Sequence, residues 1–281
     1  MAKITATGRV AVVALVTLLA SVGCATRLPD VALVVGNSDY AHAASLANPQ
    51  ADARAVSQLL EKLGWRVALL IDPSKDDLAS AAATLEEALD SSKKVLFFYA
   101  GHGMQVNGQN YLVPVDFDPN SRVDLDQDLF ALQDTLDWMK RPSNQLAVFL
   151  DACRVNPFDE HLVGMVHGHR GLALAKTADT RNIGKFEVGR GLAEVAASAG
   201  TYIAYATQPG NVAFDGKGRH SPFTEALLDY LDANDKDIGW VMQRVRNDVI
   251  SETDGQQVPW DHSSLTHRFL VNPKQHSAPP P

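Results

Sequence analysis

Two continuous apolar runs constrain this chain more than any other feature. Lys93-Lys94-Val95-Leu96-Phe97-Phe98-Tyr99-Ala100 leads into Gly101-His102-Gly103, and Gln145-Leu146-Ala147-Val148-Phe149-Leu150 leads into Asp151-Ala152-Cys153-Arg154. Neither run alternates apolar with polar residues, so each suits a central strand of a parallel sheet covered by helices on both faces. In such sheets ligands gather beyond the carboxyl ends of the strands. If the two runs are neighbours, His102 and Cys153 face each other across one crevice, and a thiol and an imidazole so placed are the minimum for nucleophilic catalysis.

The rest of the chain fits around that pair. Val31 to Gly36 reads as a buried strand, and Asn48-Pro49 opens a helix with proline in its first turn. Trp65 to Ile71 is a second strand and Asp76 to Asp90 a second amphipathic helix, which feeds the strand ending at His102. Alternation of strand and helix predicts right-handed crossovers and an α/β fold with a mostly parallel sheet. Beyond His102, Asn107-Gly108 between two short apolar segments predicts a small hairpin beside the crevice. Ala131 to Lys140 is a helix, Thr201 to Thr207 a strand, Ser221-Pro222 the start of a helix, Ile238 to Ser251 another helix, and Arg268 to Val271 a last strand.

Composition excludes some functions. The formal charge of −8 lacks the basic footprint of a nucleic-acid binder. The two cysteines, Cys24 and Cys153, code no disulfide framework. At the N-terminus Lys3 and Arg9 precede an apolar core, Val10 to Ala20, with the proportions of a secretory signal rather than a membrane span. Leu19-Ala20-Ser21-Val22-Gly23-Cys24 resembles a bacterial lipoprotein signal, which implies lipidation of Cys24, residues 1–23 as the leader and 24–30 as a linker. Ser21 departs from that pattern, where leucine is usual, and cleavage nearby with plain secretion is the alternative. The expectation is an exported protein of the cell envelope or periplasm, held at the membrane by a lipid anchor. Cys153 is then a lone free thiol in an oxidising compartment, explained either by burial or by reactivity.

With Phe97-Phe98-Tyr99-Ala100-Gly101-His102-Gly103 and Asp151-Ala152-Cys153-Arg154-Val155-Asn156-Pro157-Phe158 in hand, the chain resembles the caspase-like cysteine peptidases, in their bacterial metacaspase-like (orthocaspase) branch. The likeness runs from about Val31 to Val271 and includes Tyr205-Ala206-Thr207-Gln208-Pro209-Gly210. It implies a caspase–hemoglobinase fold over 31–272: a large half to about 155, a linker of about 156–199, a small half of about 200–272, and a disordered tail from 273 to 281. It also implies a catalytic His102–Cys153 dyad, with no cofactor required for the chemistry. Val155 departs from the polar residue common in these relatives.

His102 can accept the thiol proton and later return it to the leaving amine, although no third, orienting group is legible from spacing. The Gly103 and Cys153 N–H groups can stabilise an oxyanion; alternatively, the flanking glycines only make a tight turn and His102 is a core histidine. Asp151, two residues before Cys153, lies on the same sheet face and deeper. By resemblance to arginine/lysine-specific metacaspases, Asp52 joins Asp151 in binding a basic P1 side chain, which two carboxylates suit. Asp52 also reads as an ordinary first-turn helix acid. Tyr205 and Asp215 are assigned to the pocket walls, although a strand aromatic is more often core and an Asp in a Gly-rich loop more often turn chemistry.

Asp116, Asp118, Asp124, Asp126 and Asp128 could hold Ca²⁺, as metacaspase activation suggests, but they lack EF-hand spacing and read first as a solvated loop, so no metal ligand is assigned. Basic specificity would make Lys176, Arg181, Lys185 and Arg190 points of self-cleavage. The rival reading is a catalytically silent caspase-like binding or regulatory module. A thiol redox protein is disfavoured by the lack of a second nearby cysteine.

Overall fold

In a computed structural model of the chain, residues 29–121, 123–153, 188–189, 192, 195, 198–208, 213–216 and 218–273 are described, Cys153 and 188–189 by their backbone. The expected leader and its Cys24, the candidate cleavage points between Lys176 and Arg190, and the expected tail beyond 273 lie outside the described residues. Among the described residues no helix is long and apolar enough to cross a membrane.

The elements run β1 (Val31–Gly36), α1 (Pro49–Lys62), β2 (Arg66–Ile71), α2 (Lys75–Ser91), β3 (Lys94–Val106), β4 (Gln109–Leu112), α3 (Leu125–Asp128), β5 (Phe130–Ala131), α4 (Leu132–Met139), β6 (Gln145–Cys153), β7 (Val188–Gly189), β8 (Thr201–Tyr205), α5 (Pro222–Tyr230), α6 (Ile238–Glu252) and β9 (Trp260–Ser263). The main sheet has the order β2-β1-β3-β6-β8-β9. Every pair in it is parallel except β8 with β9, which makes the expected mostly parallel α/β sheet.

Both apolar runs are central strands, and their side chains serve two cores. Leu96, Phe98, Ala147 and Phe149 pack with α1, α5 and α6 on one face. Val95, Phe97, Leu146 and Val148 pack with α2 and α4 on the other. A strand buried on both faces cannot alternate, and these do not. The helix starts follow local chemistry: Pro49 occupies the first turn of α1, Ser74 and Asp77 form a capping box on α2, and the Ser221 hydroxyl accepts from the Thr224 N–H at the start of α5.

One expectation needs adjusting at the edge. The last strand is Trp260–Ser263, and of the predicted strand Arg268–Val271 only Leu270 makes an isolated bridge, to Asp237. Phe269 and Val271 are apolar because they are buried, at 0% and 2% exposure, rather than because they form a ladder. The Asn107-Gly108 hairpin is present, both residues having positive φ (52° and 80°) as such a turn requires.

Candidate active site

β3 changes partners at His102. Up to that residue it pairs in parallel with β6, and His102 lies in register with Cys153. From Gly103 onward it pairs antiparallel with β4. The handover passes through Gly101, at φ 153°, where a Cβ would lie 2.7 Å from the Tyr40 hydroxyl and 2.9 Å from that of Tyr99. Only glycine meets both demands.

Main-chain groups and two tyrosines hold His102. Its N–H donates to the Tyr40 hydroxyl at 2.7 Å, and its carbonyl accepts from the Tyr99 hydroxyl at 2.6 Å. Burial pushes both phenols well above their ordinary range, so they stay protonated. The Tyr40 ring also lies against the imidazole, with centroids 4.4 Å apart. His102 Nε2 is 2.9 Å from the Ala44 carbonyl. A carbonyl only accepts, so Nε2 carries the proton and Nδ1 is left as the acceptor. Nδ1 is buried with no partner among the described residues. Burial lowers the basicity of the ring, partly offset by the Ala44 carbonyl and by the negative charge of Asp215. A neutral imidazole with one open acceptor, at the register position of Cys153, is the form a general base needs.

Beside it lies a small cavity lined by Asp52, Asp151, Asp215, Ser221, Phe214 and Gly101, among others. Its two deepest carboxylates are equipped differently. Asp151, 8% exposed, accepts at Oδ2 from the Ser221 hydroxyl and from the Thr224 hydroxyl at 2.7 Å. Burial raises it to about 6, against the pull of those two donors. Asp52, 1% exposed in the first turn of α1, has the His220 Nδ1 at 2.7 Å from Oδ1 and a long contact, 3.4 Å, from the Ser221 N–H to Oδ2. Burial first, and then the charge of Asp151, push Asp52 up to about 9. The helix N-terminus favours its anion, but that effect of about 0.3–1 kcal/mol is outweighed. Asp215 is partly exposed, and its carbonyl accepts from the Asn48 side chain, which ties its loop to the start of α1.

The structure thus gathers Asp52, Asp151 and Asp215 next to the His102–Cys153 register, with Gly103 where β3 passes from β6 to β4. Tyr205 is not among them. Strand alternation turns it to the opposite face of the sheet, where it is 2% exposed in the α2–α4 core and its hydroxyl accepts from the Val195 N–H. The pocket-wall assignment for Tyr205 is therefore corrected to a core role. The acidic stretch does not converge either: Asp124 caps α3, its side chain accepting from the Asp126 N–H and its own N–H donating to Asp128. Among the described residues no three His, Cys, Asp or Glu side chains gather to hold a metal ion.

Sequence reasoning missed Tyr40, Ala44, His220, Ser221 and Thr224. Ala44 acts through its carbonyl, which no residue type signals. Ser221 and Thr224 carried a signal, since a helix-capping Ser followed by Thr one turn on can turn both hydroxyls toward one acceptor.

The sequence matches the family model of the caspase domain (Peptidase C14) over residues 29–270. It is 32% identical over 132 residues to human mucosa-associated lymphoid tissue lymphoma translocation protein 1, and equally to the mouse homologue. That stretch is 46% of this chain and 16% of either relative, so the chain corresponds to a small part of those proteins. Among solved structures, the Drosophila initiator caspase Dronc superposes with a TM-score of 0.58 at 12% identity, covering 88% of this chain and 85% of that one. Caspase-1 from Spodoptera frugiperda gives 0.53 at 16% identity, covering 90% and 92%. At these identities the likeness establishes the caspase fold.

Proposed function

The chain belongs to the caspase-domain family of cysteine peptidases, and from that membership we propose that it is an endopeptidase of metacaspase-like type, working through a His102–Cys153 dyad and cutting after arginine or lysine. His102 Nδ1 takes the Cys153 thiol proton while Nε2–H stays on the Ala44 carbonyl, and the thiolate attacks the scissile carbonyl. The Gly103 and Cys153 N–H groups receive the oxyanion, and the imidazolium protonates the leaving amine. The observation that carries this reading is the in-register placement of His102 and Cys153 on adjacent parallel strands. The buried carboxylates Asp52 and Asp151 next to them favour a cationic P1 side chain over an anionic one.

The test is hydrolysis of Arg-, Lys- and Asp-terminated fluorogenic peptides by the wild type and by Cys153→Ala, with and without Ca²⁺. Turnover after Arg or Lys that Cys153→Ala abolishes is expected. Turnover only after Asp overturns the pocket assignment, and no turnover on any peptide leaves the binding-module reading.

A further inference from the structure

One titratable contact in the cavity is not used by the proposed chemistry. His220, in the loop before α5, places Nδ1 2.7 Å from Oδ1 of Asp52, with the Asp52 side chain 2% and the imidazole 16% exposed. The neighbouring Asp151 is supplied with two hydroxyl donors, whereas among the described residues Asp52 has only the imidazole and one long N–H. A cation must still find a carboxylate at Asp52, in a place where a second buried anion beside Asp151 is costly.

We propose that His220 is a positioning residue that holds the proton of Asp52, so that Asp52 becomes a carboxylate when a basic P1 side chain enters, without exchanging a proton with solvent. The inference rests on the basic-P1 reading above and specifies how that pocket charges. In the empty pocket the pair carries one shared proton, Asp52 O–H donating to Nδ1 while Nε2 keeps its own hydrogen. When the cation arrives, the Oδ1–H bond breaks and an Nδ1–H bond forms. The Asp52 carboxylate then lies between an imidazolium and the P1 charge. Two carboxylates, Asp52 and Asp151, then face two cations, and the buried set is close to neutral.

The groups around the pair fit this division. Asp151 on β6, Asp215 in its loop and Glu225 on α5 all oppose ionisation of Asp52 in the empty pocket. Burial and Arg219 oppose a cationic His220, while Glu225 favours it. Neither partner is charged readily alone, so a single shared proton is the resting state across neutral pH. Below the lowered range of His220 the pair takes a second proton, turns cationic and repels P1. Above about 9 it loses the first.

His220→Asn keeps a polar partner for Asp52 but cannot hold a cationic proton. Its Asp52 must then release the proton to solvent before it can bind a cation. With Asp52 at about 9, that costs up to about 100-fold at pH 7, tenfold for each pH unit, less whatever the transfer to His220 costs in the wild type. The expected result is a loss of up to about 100-fold in kcat/KM for an arginine peptide at pH 7, carried by KM, with recovery toward wild type by pH 9. His220→Gln gives the same pH signature if the effect is the proton and not the fold. A loss equal at pH 7 and pH 9, or no loss, overturns the proposal.

A second measurement needs no turnover. On the Cys153→Ala background, N-acetyl-arginine amide is titrated by calorimetry at pH 7 in two buffers of different ionisation enthalpy. With His220 present no net proton is released; in the His220→Asn variant about one proton leaves per arginine bound. Release of a full proton with His220 present, or no binding of the probe to either protein, overturns the proposal. Binding with the expected proton balance but no peptide cleavage removes the peptidase assignment and leaves this one. Cleavage after arginine with a pH-independent effect of His220→Asn does the reverse.

Discussion

Two buried titratable clusters stand side by side at the carboxyl ends of β3 and β6, and they are built on opposite plans. Around His102 the hydrogen-bonding partners are main-chain groups and phenols, all neutral: the Ala44 carbonyl, the Tyr40 and Tyr99 hydroxyls; the charge that reaches the ring, that of Asp215, comes from the neighbouring cluster. Around Asp52 and Asp151 the partners are mostly side-chain donors, the His220 imidazole and the Ser221 and Thr224 hydroxyls, with one long contact from the Ser221 N–H. Burial pushes both clusters toward neutral forms, lowering the basicity of His102 and raising the carboxylates. The outcome differs because of what each must do. A neutral imidazole is already the working form of a base, whereas a neutral carboxyl is not the working form of a cation receptor. The first cluster needs rigidity alone; the second needs a supply of donors that responds to its ligand.

The largest expected effect tests the first plan. His102→Gln preserves a hydrogen bond to the Ala44 carbonyl but removes the proton acceptor, and kcat/KM on a basic peptide should fall about 10⁴-fold. A fall below about tenfold in single-turnover rates would assign the base to another residue and dissolve the contrast.

Next comes Asp52→Asn, which should act in opposite directions on function and stability. Removing one partner of a buried charge pair costs about 3 kcal/mol or more, a loss of about 100-fold in kcat/KM for arginine peptides. For stability the sign is reversed. Asp52 binds its proton more tightly when folded, at about 9, than at the ordinary 3.8 of the unfolded chain. Between those values the folded state holds the extra proton, and stability declines as pH rises through the window. Asn has nothing to titrate, so thermal unfolding should show a Tm for Asp52→Asn equal to wild type near pH 4 and increasingly above it toward pH 9. A Tm below wild type at pH 8 would mean that the Asp52–His220 contact stabilises the fold more than burial penalises it.

The same contrast explains what the sequence could and could not disclose. Runs apolar on both faces exposed β3 and β6 because double burial removes alternation, and their ends exposed His102, Cys153 and Asp151. Asn107-Gly108 exposed the hairpin because its φ values admit few other residues. The pocket side was half legible, since carboxylates are rare in buried positions and Asp52 stood at a helix start. The His102 side was not, because the Ala44 contact is a backbone oxygen and Tyr40 is one aromatic in a polar loop. Tyr205 misled because an aromatic in a strand carries no mark of which face it takes until the register is known. Trp260–Ser263 was missed because an edge strand with a 47% exposed tryptophan and polar neighbours has no apolar run to announce it.

The smallest effect is the sharpest probe of whether the two clusters are separate at all. Tyr40→Phe keeps the ring against the imidazole and removes the hydroxyl, whose oxygen accepts from the His102 N–H and which also meets the Tyr99 and Asn37 side chains. That N–H is then buried without a partner, at a cost of about 1–3 kcal/mol, and Tm should fall by several degrees. The imidazole stays on the Ala44 carbonyl, so kcat should drop no more than about tenfold, through looser positioning. KM for arginine peptides should not move, because Tyr40 touches neither Asp52 nor Asp151. There is a physical route by which it could: the segment carrying Tyr40 and Ala44 continues to Leu46, which lines the carboxylate cavity and whose N–H donates to the Ser38 carbonyl. If loss of one hydroxyl lets that segment shift, Leu46 moves with it and KM rises together with the fall in kcat. A change confined to kcat and Tm keeps the clusters independent. A matching change in KM would make the Tyr40–Leu46 loop a shared wall, through which the seating of His102 and the shape of the cation pocket are set by one piece of chain.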